Sequence, residues 1–414
     1  MVSYHYPPFN GSSGVQRTLA FSKYLPSYGW EPIILTVKPK AYVMVGDELL
    51  RDIPGDIIVE RTMALDTTRH LALKGRYFQW MALPDQWVSW MFWAIPAGLR
   101  LIRKWRPKIL WSTYPIATAH CIGYVLHRIT GIPWIADFRD PMTEIDPMTQ
   151  KRAPGNPALW HTRSAVEQFT VKRCTHAVFT TPGAQTIYAK RYSTIPKDRW
   201  RVISNGYDEA CFKDVEGENL DFLNPADPMV LLHSGVLYPT PDRDPTSFFS
   251  ALAILKREQK ISPSTVRIIF RSCGFREHYQ KMIGLNGIED LVSLEPAIPY
   301  REALIEMSNV SGLLIFQGYP SNPAIPGKIY EYFRSRRPIL AMVHSEGDTA
   351  KLLQEVGVGT IVPLDSGVLI AKGLLEFLHL LKNGQAPIAS SDDIQKFSRK
   401  LKTKELAALL DSIV

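Results

Sequence analysis

Short apolar runs alternate along the chain with segments in which apolar residues recur at helical spacing. The runs of the first half are VSYHY, EPIILTV, KILWST, PWIADFRD and HAVFTT, and the helical segments between them include VQRTLAFSKYL, ATAHCIGYVLHRIT and a helix near 157–173. This alternation predicts parallel strands flanked by helices, since strands that alternate with helical patterns form βαβ units. Residues 1–205 are therefore predicted to form a Rossmann-like domain.

The same alternation restarts in the second half, from MVLLHSG to GTIVPL. The stretch at 206–228 has no sustained period and contains several breakers, which predicts a linker. Residues 229–390 are predicted to form a second Rossmann-like domain, and the tail at 391–414 is predicted to be helical. The fold class is thus α/β with two similar halves.

Composition agrees with a two-domain globular protein. The 414 residues are 45% hydrophobic and 21% charged, and a chain of this length exceeds one ordinary core. The longest apolar run, at 90–99, is about half of what a membrane-spanning helix needs, and no secretory signal opens the chain. Only a few residues precede the first loop, which leaves open a longer natural N-terminus.

The net charge of +8 indicates an anionic partner. Because the sequence has no zinc-finger spacing, no RNP-like motif and no dense Lys/Arg stripe, nucleic acid is disfavoured as that partner. The four cysteines are far apart and form no CxxC pair, which indicates buried thiols in a reducing compartment. We therefore expect a cytoplasmic protein.

The segment SNPAIPGKIYEYFRSRRPILAM at 321–342 carries the clearest candidate site. Gly327 precedes a short helix whose N-terminus is predicted to bind phosphate. Lys328, in the first turn, is positioned to pair with a diphosphate, and Glu331 offers a carboxylate to two ribose hydroxyls. The alternative is a solvated lysine and a surface glutamate.

Two segments of the first half carry further candidates. Gly11 and Gly14 lie between a strand and a helix, where small residues let a ligand approach the backbone, although a plain βα turn has the same pattern. Asp137, Arg139 and Asp140 end a predicted strand, at the edge of a sheet where ligands gather. A carboxylate there could orient or deprotonate an acceptor hydroxyl; the alternative is an Asp–Arg pair that pins a loop.

The segment at 77–107 is rich in aromatic and basic residues. Indole rings favour the membrane interface and cations favour anionic lipid, so this segment is predicted to dock on a membrane surface; a packed pair of core helices is the alternative. Its aromatic and basic residues are Trp80, Trp87, Trp90, Trp93, Trp105, Arg100, Arg103, Lys104 and Arg106.

Taken in order, several motifs resemble family-four retaining glycosyltransferases, in particular those that build bacterial surface polysaccharides. The motifs are PPFNGSSGVQRTLAFSKYLPSYGWEP, WSTYP, IADFRDP, VISNGYD, HSGVLY and IPGKIYEYFRSRRPIL. The resemblance implies the GT-B fold, with two Rossmann-like domains facing a central cleft. It also implies a nucleotide-sugar bound mainly in the C-terminal domain, an acceptor in the N-terminal domain and no bound metal or cofactor.

Residue by residue, Glu331 matches the second glutamate of the family's pair, which holds the nucleotide ribose. The first glutamate is replaced by Pro323, so contact with the donor sugar is expected from backbone, Gln317 or Asn322. Gly235 of HSGVLY matches the glycine-rich turn after the first C-terminal strand. Arg243 is the best match for the basic residue that neutralises the diphosphate.

The resemblance thus implies a metal-independent, retaining, hexosyl-type glycosyltransferase that uses a lipid-linked glycan acceptor at the inner face of the cell membrane. Asp242 and Asp244 have the spacing of a metal-binding Asp-x-Asp signature, but they lie in a Pro-rich loop where aspartate favours turns. Ser204 and Asn205 are expected to shape the domain hinge. The alternatives are a GT-B epimerase or phosphorylase and a catalytically silent scaffold subunit.

Overall fold

The computed structural model describes residues 1–11, 14–146, 149–213 and 228–414, which divide into two compact units. Unit 1 comprises Met1–Asn205 together with Arg399–Val414, and unit 2 comprises Gly206–Ser398. Of the predicted linker, 214–227 lies outside the described residues. Each unit is built on a parallel sheet connected by helices, as the alternating pattern predicts.

Unit 1 follows the predicted order of strands and helices. Its strands are β1 (Ile33–Val37), β2 (Ile58–Thr62), β3 (Leu110–Thr113), β4 (Trp134–Arg139), β5 (Glu144–Ile145), β6 (Arg152–Ala153), β7 (His176–Phe179) and β8 (Trp200–Val202). Its helices before residue 206 are α1 (Gly14–Tyr24), α2 (Met91–Trp105), α3 (Ala117–Thr130), α4 (Pro157–Arg173) and α5 (Pro182–Arg191). The helix expected near 157–173 is α4.

The N-terminal segment completes the sheet of unit 1. Strands β1 and β2 pair with each other, and β3, β4, β7 and β8 pair in that order. Val2 forms parallel bridges to Leu35 of β1 and to Ser112 of β3, and its backbone N donates to Trp111 O at 2.7 Å. The start of VSYHY therefore lies at the centre of the sheet, between β1 and β3, as its apolar pattern predicts.

Unit 2 repeats the plan with a six-stranded parallel sheet. Its strands are β9 (Met229–Ser234), β10 (Val266–Arg271), β11 (Val292–Glu295), β12 (Gly312–Gln317), β13 (Ile339–Val343) and β14 (Thr360–Val362). Its helices are α6 (Glu209–Lys213), α7 (Thr246–Arg257), α8 (Arg276–Asn286), α9 (Tyr300–Ser308), α10 (Lys328–Arg334), α11 (Asp348–Glu355), α12 (Gly367–Lys382) and α13 (Ser391–Lys396). Every residue of β12 and β13 is buried, as expected for central parallel strands covered on both faces.

The tail belongs to both units. The sequence predicts one helical segment over 391–414, whereas the structure has α13 in unit 2 and a separate helix, α14 (Arg399–Asp411), in unit 1. Leu406 and Leu410 of α14 are buried with Phe21 and Leu25 of the first unit. The spacing of these leucines predicts an amphipathic helix, but it does not identify the surface that covers them.

Three of the cysteines are buried thiols, as the sequence predicts. Cys121, Cys174 and Cys273 are all buried. Burial raises the pKa of the Cys121 and Cys174 thiols to about 12, so both stay protonated and unreactive at neutral pH. These residues therefore contribute packing rather than chemistry.

Candidate active site

The sheet of unit 2 has a topological switch point between β9 and β12. The strand order is β11-β10-β9-β12-β13-β14, so the chain direction across the sheet reverses there. The two strands pair at Leu231 with Gly312 and at Leu232 with Leu313, and the ladder ends at that point. In open α/β sheets, ligands bind at the carboxyl ends of the strands beside such a reversal. The carboxyl ends of β9 and β12 are therefore the expected ligand site of unit 2.

Lys328 and His233 meet at this switch point. The Lys328 Nζ lies 3.2 Å from the His233 Nε2, and the His233 Nδ1 lies 2.9 Å from the carbonyl oxygen of Leu314. Because a carbonyl only accepts, the Nδ1 carries the proton and the Nε2 accepts a hydrogen bond from Lys328. The imidazole therefore fixes the position of the ammonium group at the end of β9.

Gly235 leaves room for this ammonium group. Its φ of 128° is a conformation that favours glycine, and a Cβ at Gly235 would lie 2.6 Å from the Lys328 Nζ. The match of Gly235 to a glycine-rich turn thus has a steric reason in the structure. A side chain here would displace the lysine from the switch point.

The charge state of this pair is set by burial. Desolvation, together with the positive charge of Arg243, lowers the pKa of Lys328 to about 7. Desolvation and the neighbouring Lys328 hold the pKa of His233 well below 6.5, so the imidazole is neutral at neutral pH. At neutral pH the half-buried Lys328 is therefore only partly protonated, and a bound anion would favour its protonated form.

Glu331 lies on α10, three residues after Lys328. Its Oε1 accepts a hydrogen bond of 2.7 Å from the Tyr300 hydroxyl of α9. Helix α10 has only seven residues, so the charge offered to an anion comes from Lys328 rather than from a long helix dipole. Gly327, which precedes α10, has a helical φ of −56° and open space around its Cα, so nothing in its geometry requires glycine.

Arg243 is close enough to Lys328 to lower the pKa of the lysine. Its Nε lies 3.3 Å from the Asp242 Oδ2, and its guanidinium lies over the Tyr238 ring at 5.6 Å. The proposed diphosphate contact of Arg243 stays a prediction, and the position of the residue is compatible with it.

Gln317 and Asn322 hold the loop between β12 and α10. The Gln317 Nε2 donates to Ser321 O at 2.7 Å and to Ala324 O at 2.9 Å, and the Asn322 Nδ2 lies 3.0 Å from the His344 Nδ1. These amide nitrogens shape the loop that carries Pro323. The amide oxygen of Gln317 and the loop backbone are what this region offers to a donor sugar, a role that stays a prediction.

In unit 1, Asp137 lies in a buried ion pair. Arg17 of α1 donates from its Nε to the Asp137 Oδ2 and from its Nη2 to the Oδ1, both at 3.0 Å, and the Thr113 hydroxyl donates to the Oδ2 at 2.9 Å. Asp137 is fully buried. This geometry favours the structural alternative, an Asp–Arg pair, with Arg17 as the partner that holds α1 against β3 and β4.

Asp140 lies just beyond β4 and is exposed to solvent. Its backbone N donates to Phe138 O at 2.7 Å, which turns the chain away from the strand. Of the two candidate carboxylates, Asp140 is the one that an acceptor can reach. A catalytic role for either aspartate stays a prediction.

An added side chain at either candidate glycine of unit 1 would meet a neighbouring side chain. A Cβ at Gly14 would lie 2.5 Å from the Arg139 Nη1, and a Cβ at Gly11 would lie 2.8 Å from the Phe9 ring. The structure therefore brings Gly14, Arg139 and the end of β4 together. Ser204 accepts a hydrogen bond from Arg17 through its carbonyl, and unit 1 gives way to unit 2 directly after Asn205.

Part of the aromatic segment at 77–107 belongs to the core of unit 1, so not all of the aromatic residues predicted to dock on a membrane are accessible. Trp90 is fully buried and its Nε1 donates to the Thr62 hydroxyl at 2.8 Å, and Trp87 packs on Tyr4 with ring centroids 5.0 Å apart. Trp90 therefore cannot reach a membrane. The exposed aromatic rings are instead Tyr77, Phe78, Trp80, Phe92 and Trp105. In the part of the chain that the structure describes, no helix has both the length and the apolar character to cross a bilayer.

Sequence reasoning missed His233, Tyr300 and Arg17. His233 belongs to the HSGVLY motif, and its place two residues before Gly235 is the one signal that could have identified it. Tyr300 and Arg17 gain their roles through partners 31 and 120 residues away. Local sequence patterns do not predict such pairs.

The fold and the switch-point site define the class of protein. The chain is similar to sucrose-phosphate synthase from Thermosynechococcus elongatus (TM-score 0.67, 15% identity, covering 100% of this chain and 98% of that one). It is similar to Anabaena HepE in complex with UDP (TM-score 0.64, 13% identity, 99% of both chains). It is also similar to UDP-GlcNAc 2-epimerase from Methanocaldococcus jannaschii (TM-score 0.58, 10% identity, 100% of both chains). The protein therefore has the GT-B fold, which confirms the predicted fold class.

The family follows from the sequence of the first unit. Residues 14–210 match the model of Glycosyltransferase Family 4. This match to part of the chain agrees with the family resemblance that the motifs indicate. No curated protein sequence matches the chain.

Proposed function

We propose that the protein transfers a sugar, with retention of anomeric configuration, from a nucleotide-sugar bound in unit 2 to a glycan acceptor bound in unit 1. The observation that carries this proposal is the half-buried Lys328 ammonium at the switch point, held by His233 and accommodated by Gly235. Such a cation matches the diphosphate of a nucleotide-sugar. HepE, which has the same fold, is described in complex with UDP.

In this proposal, different residues of unit 2 contact different parts of the donor. Lys328 and Arg243 neutralise the diphosphate, which leaves as the bond from its oxygen to the anomeric carbon breaks. Glu331 accepts hydrogen bonds from the ribose hydroxyls. In unit 1, Asp140 orients the acceptor hydroxyl and accepts its proton, and the hydroxyl oxygen forms the new bond on the same face of the sugar.

Glu331→Ala is expected to weaken nucleotide-sugar binding by about 1.5–3 kcal/mol, the usual contribution of hydrogen bonds to a charged group. The fold should persist, since the side chain is only partly buried. Calorimetric titration with UDP-, GDP- and ADP-sugars measures the effect. Glu376→Ala, an exposed glutamate on α12, is the matched control. Unchanged donor affinity in a folded Glu331→Ala protein would remove this residue from the site.

We propose that transfer needs no divalent metal. The contacts of Asp242 and Asp244 support this view, because both take part in local structure. The Asp244 Oδ1 accepts hydrogen bonds from the backbone N and the hydroxyl of Thr246, the first residue of α7, at 3.0 and 2.6 Å. Asp242 pairs with Arg243. Transfer activity in excess EDTA tests the proposal; loss that magnesium or manganese restores would make these aspartates ligands.

We further propose that unit 1 docks on an anionic membrane surface from the cytoplasmic side, where it meets a lipid-linked acceptor used in surface polysaccharide synthesis. The supporting observation is that exposed aromatic rings and exposed cations occur in the same stretch of the chain, a combination suited to anionic lipid. Phe78, Trp80 and Phe92 are 72%, 69% and 79% exposed. Lys74, Arg76, Arg100, Arg103, Lys104 and Arg106 are the exposed cations of the same region.

Replacing Phe78, Trp80 and Phe92 together by Ala is expected to reduce sedimentation with anionic vesicles, since each inserted aromatic side chain contributes about 1.5 kcal/mol. High salt should reduce binding of the wild type. Leu285→Ala, which truncates an exposed apolar residue in unit 2, serves as the control. If the wild type ignores vesicles of every composition, the docking proposal is wrong.

Two other functions have specific support. The likeness to a UDP-GlcNAc 2-epimerase favours an epimerase, which would convert the sugar of its nucleotide-sugar without any acceptor. The replacement of the first family glutamate by Pro323 favours a catalytically silent scaffold, which would neither transfer nor hydrolyse the donor. Incubation with each nucleotide-sugar, with and without a glycan acceptor, separates the three by their products.

A further inference from the structure

Arg139 ends β4 in an unusual backbone conformation. Its φ is 60°, and the register of β4 against β7 shifts between Asp137 and Arg139. The Arg139 carbonyl is held by two hydrogen bonds from Thr180, one from the backbone N at 3.1 Å and one from the hydroxyl at 3.0 Å. A non-glycine residue in the left-handed region costs free energy and persists where the surroundings over-determine it. This bulge fixes the direction of the Arg139 side chain.

The guanidinium of Arg139 has few partners for a desolvated cation. Among the described residues, its one hydrogen bond runs from Nη1 to Tyr114 O at 3.3 Å, and its buried Nε has no acceptor. Burial lowers the pKa of Arg139 from its ordinary value. The charges of Asp140 and Asp137 offset part of this effect, but Asp137 is bonded to Arg17, and neither carboxylate accepts a hydrogen bond from Arg139 within the described chain.

A desolvated charge that lacks hydrogen-bond partners is costly, and native structures usually satisfy such groups. The residues around Arg139 nevertheless leave room for its guanidinium. Gly14 leaves it space, since a Cβ there would lie 2.5 Å from the Nη1. This is the same device that Gly235 provides for Lys328 in unit 2, where a Cβ would lie 2.6 Å from the ammonium.

The imidazole of His5, close to the Arg139 guanidinium, also has a buried nitrogen without a hydrogen-bond partner among the described residues. Its Nδ1 is buried and has no hydrogen-bond partner among the described residues, and its ring stacks on Phe9 with centroids 4.2 Å apart. Burial, with the nearby charge of Arg139, lowers the pKa of His5 to about 3, so the ring is neutral. A neutral imidazole with its proton on Nδ1 can donate to an oxyanion.

We propose that Arg139 and His5 form a second oxyanion site, in unit 1, which binds a phosphate group of the acceptor. The orphaned Nε of Arg139 and the orphaned Nδ1 of His5, at the carboxyl end of the sheet, define it. Guanidinium groups match phosphate oxygens in charge and geometry. The assignment to the acceptor rests on the proposed function, whereas the oxyanion site itself does not.

Calorimetric titration of the full chain with inorganic pyrophosphate tests the site. Lys328→Gln removes one of the two cations assigned to the diphosphate in unit 2, and the part of the remaining binding that depends on Arg139 reports unit 1. Adding Arg139→Gln is expected to weaken that remaining binding about 10- to 100-fold, the usual effect of losing hydrogen bonds to a charged group. Adding Arg199→Gln is the control, because Arg199 donates to the backbone carbonyls of Thr175 and Val171. Equal affinity with and without Arg139 would overturn the proposal.

The unfolding temperature of an Arg139 variant distinguishes a ligand-binding role of this residue from a structural one. Because Arg139 is a half-buried cation whose buried Nε has no acceptor, Arg139→Met is expected to keep or raise the unfolding temperature of the ligand-free protein. A variant that unfolds several degrees earlier, or that fails to fold, would assign Arg139 to structure and overturn the proposal. His5→Phe, which keeps the stacking on Phe9, is expected to weaken pyrophosphate binding several-fold in the Lys328→Gln protein; unchanged affinity would exclude His5.

The source of the phosphate is decided by two further titrations of the Lys328→Gln protein. A short-chain prenyl phosphate is expected to bind and to depend on Arg139. A nucleotide-sugar that binds through Arg139 instead would overturn the assignment to the acceptor. Failure of the proposed function appears elsewhere, as donor binding in the wild type that does not depend on Glu331 or Lys328.

Discussion

Lys328→Gln is expected to weaken nucleotide-sugar binding by about 10- to 100-fold, because it removes the charge-assisted hydrogen bonds to the diphosphate. Gln is close in length and keeps a polar end near the His233 Nε2, so the fold should persist. Calorimetric titration measures the change. Lys372→Gln, an exposed lysine on α12, is the matched control. Wild-type donor affinity in a folded Lys328→Gln protein would contradict the assignment of the diphosphate to the switch point.

The same lysine makes donor binding depend on pH. Its pKa is lowered to about 7 in the free protein, and a bound diphosphate raises it. Below pH 7 the ammonium is already charged, so its contribution to binding is fully present. Above pH 7 the free protein must take up a proton to bind, so affinity falls with rising pH by up to about tenfold per unit.

Lys328→Gln should abolish this dependence, and that loss distinguishes a titrating lysine from a general effect of pH. A nucleotide-sugar is the suitable ligand, since its diphosphate is esterified at both ends and does not titrate near neutrality. His233 does not contribute, because its pKa stays well below 6.5. Proton uptake on binding, measured in buffers of different ionisation enthalpy, is an independent readout.

Asp140→Asn is expected to lose about 100- to 10,000-fold in turnover while donor affinity and stability stay near those of the wild type, since general-base contributions have this size. Stability should stay the same because Asp140 is exposed, and donor affinity should stay the same because Asp140 belongs to unit 1. Steady-state kinetics with donor titration measures the split between kcat and donor binding. Turnover close to that of the wild type would show that the acceptor is oriented by another group.

Asp137→Asn is the informative comparison, because its effect should be on stability. The substitution breaks a buried ion pair with Arg17 and is expected to cost about 3–5 kcal/mol of unfolding free energy. Denaturant unfolding of the two variants therefore separates the neighbouring aspartates. If Asp137→Asn proves as stable as the wild type and inactive, the catalytic and structural roles are the reverse of this assignment.

Much of the architecture was determined by local sequence. The alternation of apolar runs with helical segments predicts both α/β units, because a parallel strand and its crossover helix each carry their own periodicity. Lys328 and Glu331 could be identified for a similar reason, since a strand, a loop and a helix that are contiguous in sequence bring them together. The glycines at 14 and 235 were visible as turn positions, although their steric reason was not.

Tertiary structure decided what depends on distant partners. The pairing of Asp137 with Arg17, of Lys328 with His233 and of Glu331 with Tyr300 joins residues 120, 95 and 31 positions apart. The burial of Trp90, the return of α14 to the first unit and the unpartnered Nε of Arg139 likewise follow from which surfaces meet. A single sequence records the apolar or charged character of each residue, but the packing of the folded chain selects its partner and sets its exposure to water.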